Sequence, residues 1–73
     1  MKNALIISAS DNIGHISLAN AWYEICHALN YSCKLYLSEK LYDYVDNKTH
    51  ILKKELIQNT KWDLAIIISP SED

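Results

Sequence analysis

The sequence contains no arginine, and it has only one glycine and one proline in 73 residues. So few turn-forming residues argue against a loop-rich β-sandwich and against a flexible linker. A single glycine also excludes the multi-glycine phosphate loops GxGxxG and GxxxxGK[ST]. Seven lysines against nine acidic residues give a net charge of -2. Without a basic surface, neither a nucleic acid nor a membrane is a predicted partner.

Cysteine is scarce as well, and the two residues of this type, Cys26 and Cys33, do not have CxxC spacing. They are predicted to be reduced thiols of a cytoplasmic protein. The first apolar run is shorter than the hydrophobic region of a signal peptide, and no run approaches the roughly 18 apolar residues of a membrane span. The three histidines are scattered, so no metal site is predicted.

Three apolar runs are present, at 4–8, 33–37 and 64–69. The first and third are continuous, a pattern typical of parallel strands that are buried on both faces. The second alternates more with polar residues, which places it nearer a sheet edge. Hydrophobic residues make up 49% of the chain, so residues 1–73 are expected to fold as a single small domain.

Helical spacing of apolar residues occurs between these runs. It predicts a first helix over 16–29 that ends at Asn30 in a left-handed conformation. A short helical segment around 41–45 and a further helix over 49–59 are predicted after the second run. The residues expected on the buried face of the first helix are Leu18, Ala21, Trp22, Ile25, Cys26 and Leu29.

The alternation of strands and helices is the pattern of βαβαβ units. It predicts a three-layer α/β half-domain, Rossmann-like, with a short three-stranded parallel sheet. Such units usually form part of a larger doubly wound sheet. We therefore expect the chain to be a fragment or subunit of a larger protein, with the rest of that protein or a partner covering the sheet edge.

Ligands of open α/β sheets bind at the carboxyl ends of the strands, here 8–15, 37–40 and 69–73. The first loop is the most polar, and it precedes a helix whose free N–H groups favour a phosphate or carboxylate of a small-molecule substrate. In the alternative interpretation, these side chains only turn the chain and cap the helix, with Gly14 at an unusual backbone angle. The candidate ligand-binding residues are Ser8, Ser10, Asp11, Asn12, Gly14, Ser69, Pro70 and Glu72.

His15 is the candidate catalytic residue, because a histidine at a helix start beside a ligand crevice can act as a general base near neutral pH. Asp11 or Glu72 is a candidate to orient its ring. The alternative is a surface histidine with no chemical role.

The last segment, 62–73, resembles the third strand of the N-terminal domain in ATP-grasp ligases of the tyramine-glutamate ligase type. In that family an aspartate, an apolar strand and an I-A-P-E-x-D-like turn follow one another, and Ile68, Pro70 and Asp73 fit this turn. Ser17-Leu18 also resembles the start of the family's first helix. The resemblance implies a substrate-side domain of a carboxylate-amine ligase that is inactive alone, with ATP and magnesium bound by later domains. It accounts for both ends of the sequence and is the preferred prediction.

The first half of the chain is similar to the N-terminal domain of GT-B glycosyltransferases. There a G-H pair follows the first strand, as Gly14-His15 follows Ile6-Ile7, and a helix leads to a second strand, as at 30–35. This resemblance implies an acceptor-binding domain in which His15 deprotonates an acceptor hydroxyl, with the donor bound by another domain. Two further alternatives are a flavodoxin-like site for a flavin phosphate at Ser8, Ser10 and Asn12, and a small non-catalytic protein that pairs through its sheet edge.

Overall fold

The computed structural model describes residues 1–46 and 48–69. Strand β1 (Lys2–Ser8) leads through helix α1 (His15–Ala28) to strand β2 (Tyr31–Leu37). Two 3-10 helices (Glu39–Tyr44 and Lys48–His50) and helix α2 (Lys54–Gln58) then lead to strand β3 (Leu64–Ser69). All strands are parallel, in the order β2-β1-β3. The predicted α/β class is confirmed: the chain has a three-stranded parallel sheet with helices, as in a small Rossmann-like half-domain.

Strand β1 lies at the centre of the sheet, and Ala4 and Ile6 within it are fully buried. It pairs with β2 from Lys2 and Tyr31 onwards. Both strands therefore begin two residues before their apolar runs, because backbone pairing continues through polar residues. Strand β2 lies at one side of the sheet, as its alternating pattern predicts.

The prediction that β3 is buried on both faces is wrong. Its burial alternates, with Ala65 and Ile67 exposed and Leu64 and Ile66 packed against the core. Helix α1 packs against all three strands, whereas the five-residue helix α2 makes far less contact with the sheet. Because α2 covers so little of the sheet, one face of β3 remains in contact with solvent.

Helix α1 occupies its predicted place but buries a different face. Of the residues predicted on the buried face, Cys26 is buried. Ala21 is exposed, and Leu18, Trp22, Ile25 and Leu29 are exposed to solvent by 39 to 64%. The helix has two apolar faces, and the one with the small residue Ala19 lies against the sheet, where a close approach of backbone to strand is possible. The residues that α1 buries are Ile16, Ala19, Tyr23 and Cys26.

The predicted end of α1 is confirmed, since Asn30 has a φ of 67°. This left-handed conformation costs asparagine less than most residues. It turns the chain directly from α1 into β2, which starts at the next residue.

The helix predicted over 49–59 is interrupted: Lys48–His50 is a 3-10 helix and Lys54–Gln58 is helix α2, but residues 51–53 between them are not helical. Ile51 forms a parallel bridge with Leu35, and the Leu52 N–H donates to the Leu35 carbonyl at 2.8 Å. This pairing keeps the backbone extended and divides the helical pattern. The segment predicted at 41–45 is a 3-10 helix, Glu39–Tyr44, which Leu41 anchors in the core.

Both cysteines are buried free thiols, as predicted. The Cys33 Sγ donates to the carbonyls of Tyr23 and Tyr31, at 3.7 and 3.5 Å. Burial, reinforced by the neighbouring Cys26, raises the pKa of the Cys33 thiol to about 11. The two thiols therefore belong to the contact between α1 and β2. Across the described ranges, 1–46 and 48–69, there is no helix of the length and apolarity that a membrane crossing requires.

Candidate functional site

The carboxyl ends of the three strands meet at Ser8. Its backbone pairs with Leu37 of β2 and with Ser69 of β3. Beyond the strands, the Ala9 N–H donates to the Ser69 carbonyl at 2.9 Å, and the Ser38 N–H donates to the Ser8 carbonyl at 3.3 Å. The fold thus brings together Ser8 and Ser69 of the candidate ligand-binding residues. Pro70 and Glu72 lie outside the described residues.

The register between β1 and β3 shifts by one residue at this edge. Ile7 pairs with Ile67, but Ser8 pairs with Ser69, so Ile68 is an extra residue in β3. A bulge of this kind bends its strand and increases the local twist. It therefore changes the direction in which the chain leaves β3, at the end of the sheet where the candidate residues lie.

The loop between β1 and α1 forms hydrogen bonds within itself. The Asn12 N–H donates to the Ser10 Oγ at 3.1 Å, and the Gly14 N–H donates to the Asn12 Oδ1 at 2.8 Å. The next two amides, of His15 and Ile16, donate to the carbonyls of Asn12 and Ile13, both at 3.0 Å. These amides at the helix start are satisfied by the loop, which reduces their availability to an anion.

Gly14 has ordinary helical backbone angles, with φ at -58° and ψ at -21°. The expectation of an unusual angle is therefore wrong. A Cβ at this position would lie 3.1 Å from the Asn12 Oδ1, the atom that accepts the Gly14 N–H. Glycine fits here because the Asn12 side chain folds closely over the backbone.

Asp11 points towards β2 and the first 3-10 helix. The Ser38 hydroxyl donates to its Oδ1, and the Lys40 Nζ lies 3.3 Å from its Oδ2. These two partners, the Ser38 hydroxyl first, hold the pKa of the Asp11 carboxyl below its usual value. Because the carboxylate is bound to Ser38 and Lys40, it does not orient the His15 ring. Glu72, the other predicted partner of His15, lies outside the described residues.

His15 is the first residue of α1, and it is half-buried. Its Nδ1 is buried and has no hydrogen-bond partner among the described residues. The same holds for the Ser8 Oγ, at the end of β1, and for the Asn20 Oδ1, further along α1. A buried polar atom without a partner costs about 1 to 3 kcal/mol. An atom of this kind therefore needs a specific explanation, and a catalytic role is one of those known for such groups.

Sequence reasoning did not single out Asn20, Ser38 or Lys40. Asn20 lies four residues after Ile16 and three before Tyr23, so a polar side chain stands among the buried apolar residues of α1. This break in the apolar pattern is the sequence signal that indicates Asn20. Ser38 and Lys40 belong to the strand-end loop 37–40. The contact of Ser38 with Asp11 spans 27 positions of sequence and that of Lys40 spans 29, and both are set by the pairing of β1 with β2. No local pattern encodes either contact.

The other two histidines pack beside Tyr23, away from the strand ends. The His27 ring stacks with the Tyr23 ring at a centroid distance of 6.4 Å, and the His50 ring lies 5.6 Å from it. His50 also has its Nδ1 at 3.3 Å from the Lys34 Nζ. Over residues 1–46 and 48–69, no group of three His, Cys, Asp or Glu side chains is arranged to hold a metal ion.

The chain matches no protein-family model, and neither a curated protein nor a solved structure shows significant similarity to it.

Proposed function

We propose that this chain is the acceptor-binding domain of a GT-B type glycosyltransferase, with His15 as the general base. The observation that carries the proposal is the His15 imidazole itself: it is half-buried at the start of α1, and its Nδ1 is buried without a partner in the described chain. A ring held in this way is partly withdrawn from water, as a base is in an active site.

The position of His15 supports the same function. Strand β1 is central, its neighbours β2 and β3 lie on opposite sides, and the β1–α1 loop leaves the sheet between them. In open α/β sheets this is the place where ligands bind. The resemblance of Gly14-His15 to the G-H pair of the glycosyltransferases concerns this same loop.

The chemistry assigned to His15 is a proton transfer. The imidazole takes the proton of an acceptor hydroxyl while the acceptor oxygen bonds to the anomeric carbon of an activated sugar. The bond from that carbon to the leaving nucleotide phosphate breaks, and its electron pair leaves with the phosphate. Because the Nδ1 is buried, the Nε2 is the nitrogen that takes the proton, and the Nδ1 must already carry one. A hydrogen-bond acceptor for the Nδ1–H stabilises this state. Since Asp11 is bound elsewhere, that acceptor must come from outside the described residues or from the substrate.

The ligase prediction depends on a different part of the chain. Of the residues that fit its turn, Pro70 and Asp73 lie outside the described residues. It remains a prediction, in which ATP and magnesium are bound by other domains. The two functions differ in their need for His15, because the ligase resemblance assigns no role to it.

The experiment is an activity assay of the complete protein with a panel of sugar nucleotides and hydroxyl acceptors, and in parallel with ATP, magnesium, a carboxylate and an amine. His15→Gln should lower the rate of glycosyl transfer by about 100-fold or more, the usual contribution of a general base. His27→Gln is the matched control, since this histidine is exposed on the same helix. It should leave the rate unchanged.

Two results would overturn the proposal. One is glycosyl transfer that both variants retain in full, which would remove His15 from the chemistry. The other is ATP-dependent ligation without glycosyl transfer, which would favour the ligase. A protein with neither activity would leave the non-catalytic pairing module as the better interpretation.

A further inference from the structure

A cavity of about 910 Å³ lies between the first 3-10 helix and helix α2, beside the carboxyl end of β2. Its wall includes residues of β2 and the Leu52 backbone segment that pairs with it. This volume is within the range of sites for small organic ligands. Asp11 of the β1–α1 loop belongs to its lining and His15 does not, so the cavity adjoins the loop of the proposed base without including that base.

The charge of the cavity differs from that of the whole chain. Four of the seven lysines line it, Lys40, Lys48, Lys53 and Lys54, against three carboxylates. Lys40 is paired with Asp11, but in the described part of the chain the other three lysines have no carboxylate within 4.0 Å. The carboxylates of Glu39 and Glu55 have no ion-pair partner there either, so the unpaired side chains of the wall carry a net charge of +1 in a chain of net charge -2. A local positive excess attracts anions.

Tyrosines form part of the wall. Tyr36 and Tyr42 are both half-buried, and Tyr42 packs against the hydrophobic core. Burial, together with the nearby Glu39 carboxylate, raises the pKa of the Tyr42 hydroxyl. This phenol stays protonated at neutral pH, and its O–H can donate to an oxygen of a ligand. The rings offer an apolar surface to the body of the same molecule.

We propose that this cavity binds a small organic phosphate monoester. A phosphate monoester carries a charge of about -1.5 to -2 at neutral pH. Three unpaired ammonium groups therefore attract it more strongly than a ligand with one carboxylate, whose charge is smaller. Lysines bind phosphate as point charges and need no fixed fork of donors, which agrees with a chain that lacks arginine. The organic part of the ligand packs on Tyr36 and Tyr42. The proposal does not depend on the glycosyltransferase function.

The experiment is a titration of the ¹⁵N-labelled chain with phenyl phosphate, followed by NMR and calorimetry, with inorganic phosphate, benzoate and benzyl alcohol as comparison ligands. Phenyl phosphate should bind most tightly and shift amide signals in 36–42 and 48–55. Inorganic phosphate lacks the ring and benzoate has a smaller charge, so both should bind more weakly, and benzyl alcohol should not bind. Added salt should weaken the binding of phenyl phosphate.

The variants Lys53→Gln and Lys54→Gln should each weaken binding about two- to fivefold, and their combination about tenfold. Lys2→Gln with Lys61→Gln is the matched control, because it removes the same charge at two exposed lysines outside the cavity. This pair should leave the affinity unchanged. All four lysines are exposed, so the fold should survive each change.

Equal losses of affinity in the two double variants would overturn the proposal, because they would show attraction to overall charge only. Equal affinity for phenyl phosphate and benzyl alcohol would overturn it as well, since the phosphate would then contribute nothing. The same holds if no signal in 36–42 or 48–55 shifts at about 10 mM phenyl phosphate, a concentration that reveals even weak complexes.

Discussion

Asp11 and Lys40 form an ion pair, with 3.3 Å between the Asp11 Oδ2 and the Lys40 Nζ, that links the β1–α1 loop to the first 3-10 helix. Ser38 adds a hydroxyl donor to the same carboxylate. Two strand-end loops are thus joined by one side chain. Because all three side chains are near the surface, this link responds to pH and to salt.

The first prediction concerns acid. The pKa of Asp11 is lowered in the folded chain from a usual value of 3.8, so its stabilising effect is fully present above about pH 4 and is lost as the pH falls through the lower folded value. Asp11→Asn should therefore lower the melting temperature at pH 6 and converge with the unmodified chain in stronger acid. Melts across pH 2 to 7 measure this. Carboxyl NMR of Ser38→Ala should show the Asp11 pKa moving up, and an unchanged value would contradict the assignment of Ser38 as the main cause.

The second prediction concerns the neighbours Trp22 and Tyr23. Trp22 is 39% exposed and Tyr23 is 8% exposed in the core. Tyr23→Ala should lower the free energy of unfolding by about 3 kcal/mol or more, the cost of removing a large buried ring. Trp22→Ala should lower it by about 1 kcal/mol or less, as at partly exposed positions. Urea denaturation followed by circular dichroism compares them. A greater loss from Trp22→Ala would mean that α1 presents its other face to the sheet.

A third prediction tests the left-handed residue after α1. Asn30→Ala should destabilise the chain by about 1 kcal/mol, because a Cβ without a compensating side chain is strained at a φ of 67°. Asn30→Gly removes this strain and should leave stability within about 0.5 kcal/mol. Thermal melts of the two variants give the comparison. Equal stability of both would show that the backbone at this position is not held in the left-handed region.

The thiols provide a fourth prediction. Cys26 and Cys33 are buried, and the pKa of Cys33 is raised to about 11 by burial first and by Cys26 second. Since the thiolate is the reactive form, both should react with a disulfide reagent at pH 8 much more slowly than in guanidinium chloride. The release of chromophore from Ellman's reagent over time measures this difference. Rapid release of two equivalents from the native chain would show that the contact between α1 and β2 opens readily.

The strands and α1 could be predicted because their signals are local. Run 64–69 coincides with β3, and α1 begins and ends one residue before the predicted 16–29. The buried face of α1 could not be predicted, because its two apolar faces both have helical spacing and only packing against Cys33 and the rest of β2 distinguishes them. The bridge between Ile51 and Leu35 is a long-range contact, and it overrode a helical pattern.

The predictions about the candidate site also separate into those that topology supports and those that depend on long-range contacts. The carboxyl ends of the three strands could be placed at one edge from topology alone, and Ser8, Leu37 and Ser69 do meet there. The partners of Asp11 could not be foreseen, because a carboxylate binds whichever donors the fold brings near, and Ser38 arrives through the neighbouring strand. The lysines of the cavity lie on or next to three different helices between β2 and β3, and only the packing of these helices brings them together.

The bridge between Ile51 and Leu35 also determines which edge of the sheet a further strand can join. On the outer side of β2, the Leu52 N–H donates to the Leu35 carbonyl. On the outer side of β3, no strand lies beside it in the described chain. Over residues 64–68, β3 is therefore an edge of the sheet in the described chain. A further strand, from any source, would add most readily beside β3. If this strand ran parallel to β3, the loop at its carboxyl end would lie next to Ser69. Each added strand would then extend the row of strand-end loops beside His15. The lysine cavity, which lies beside β2 on the other side of the sheet, would not change.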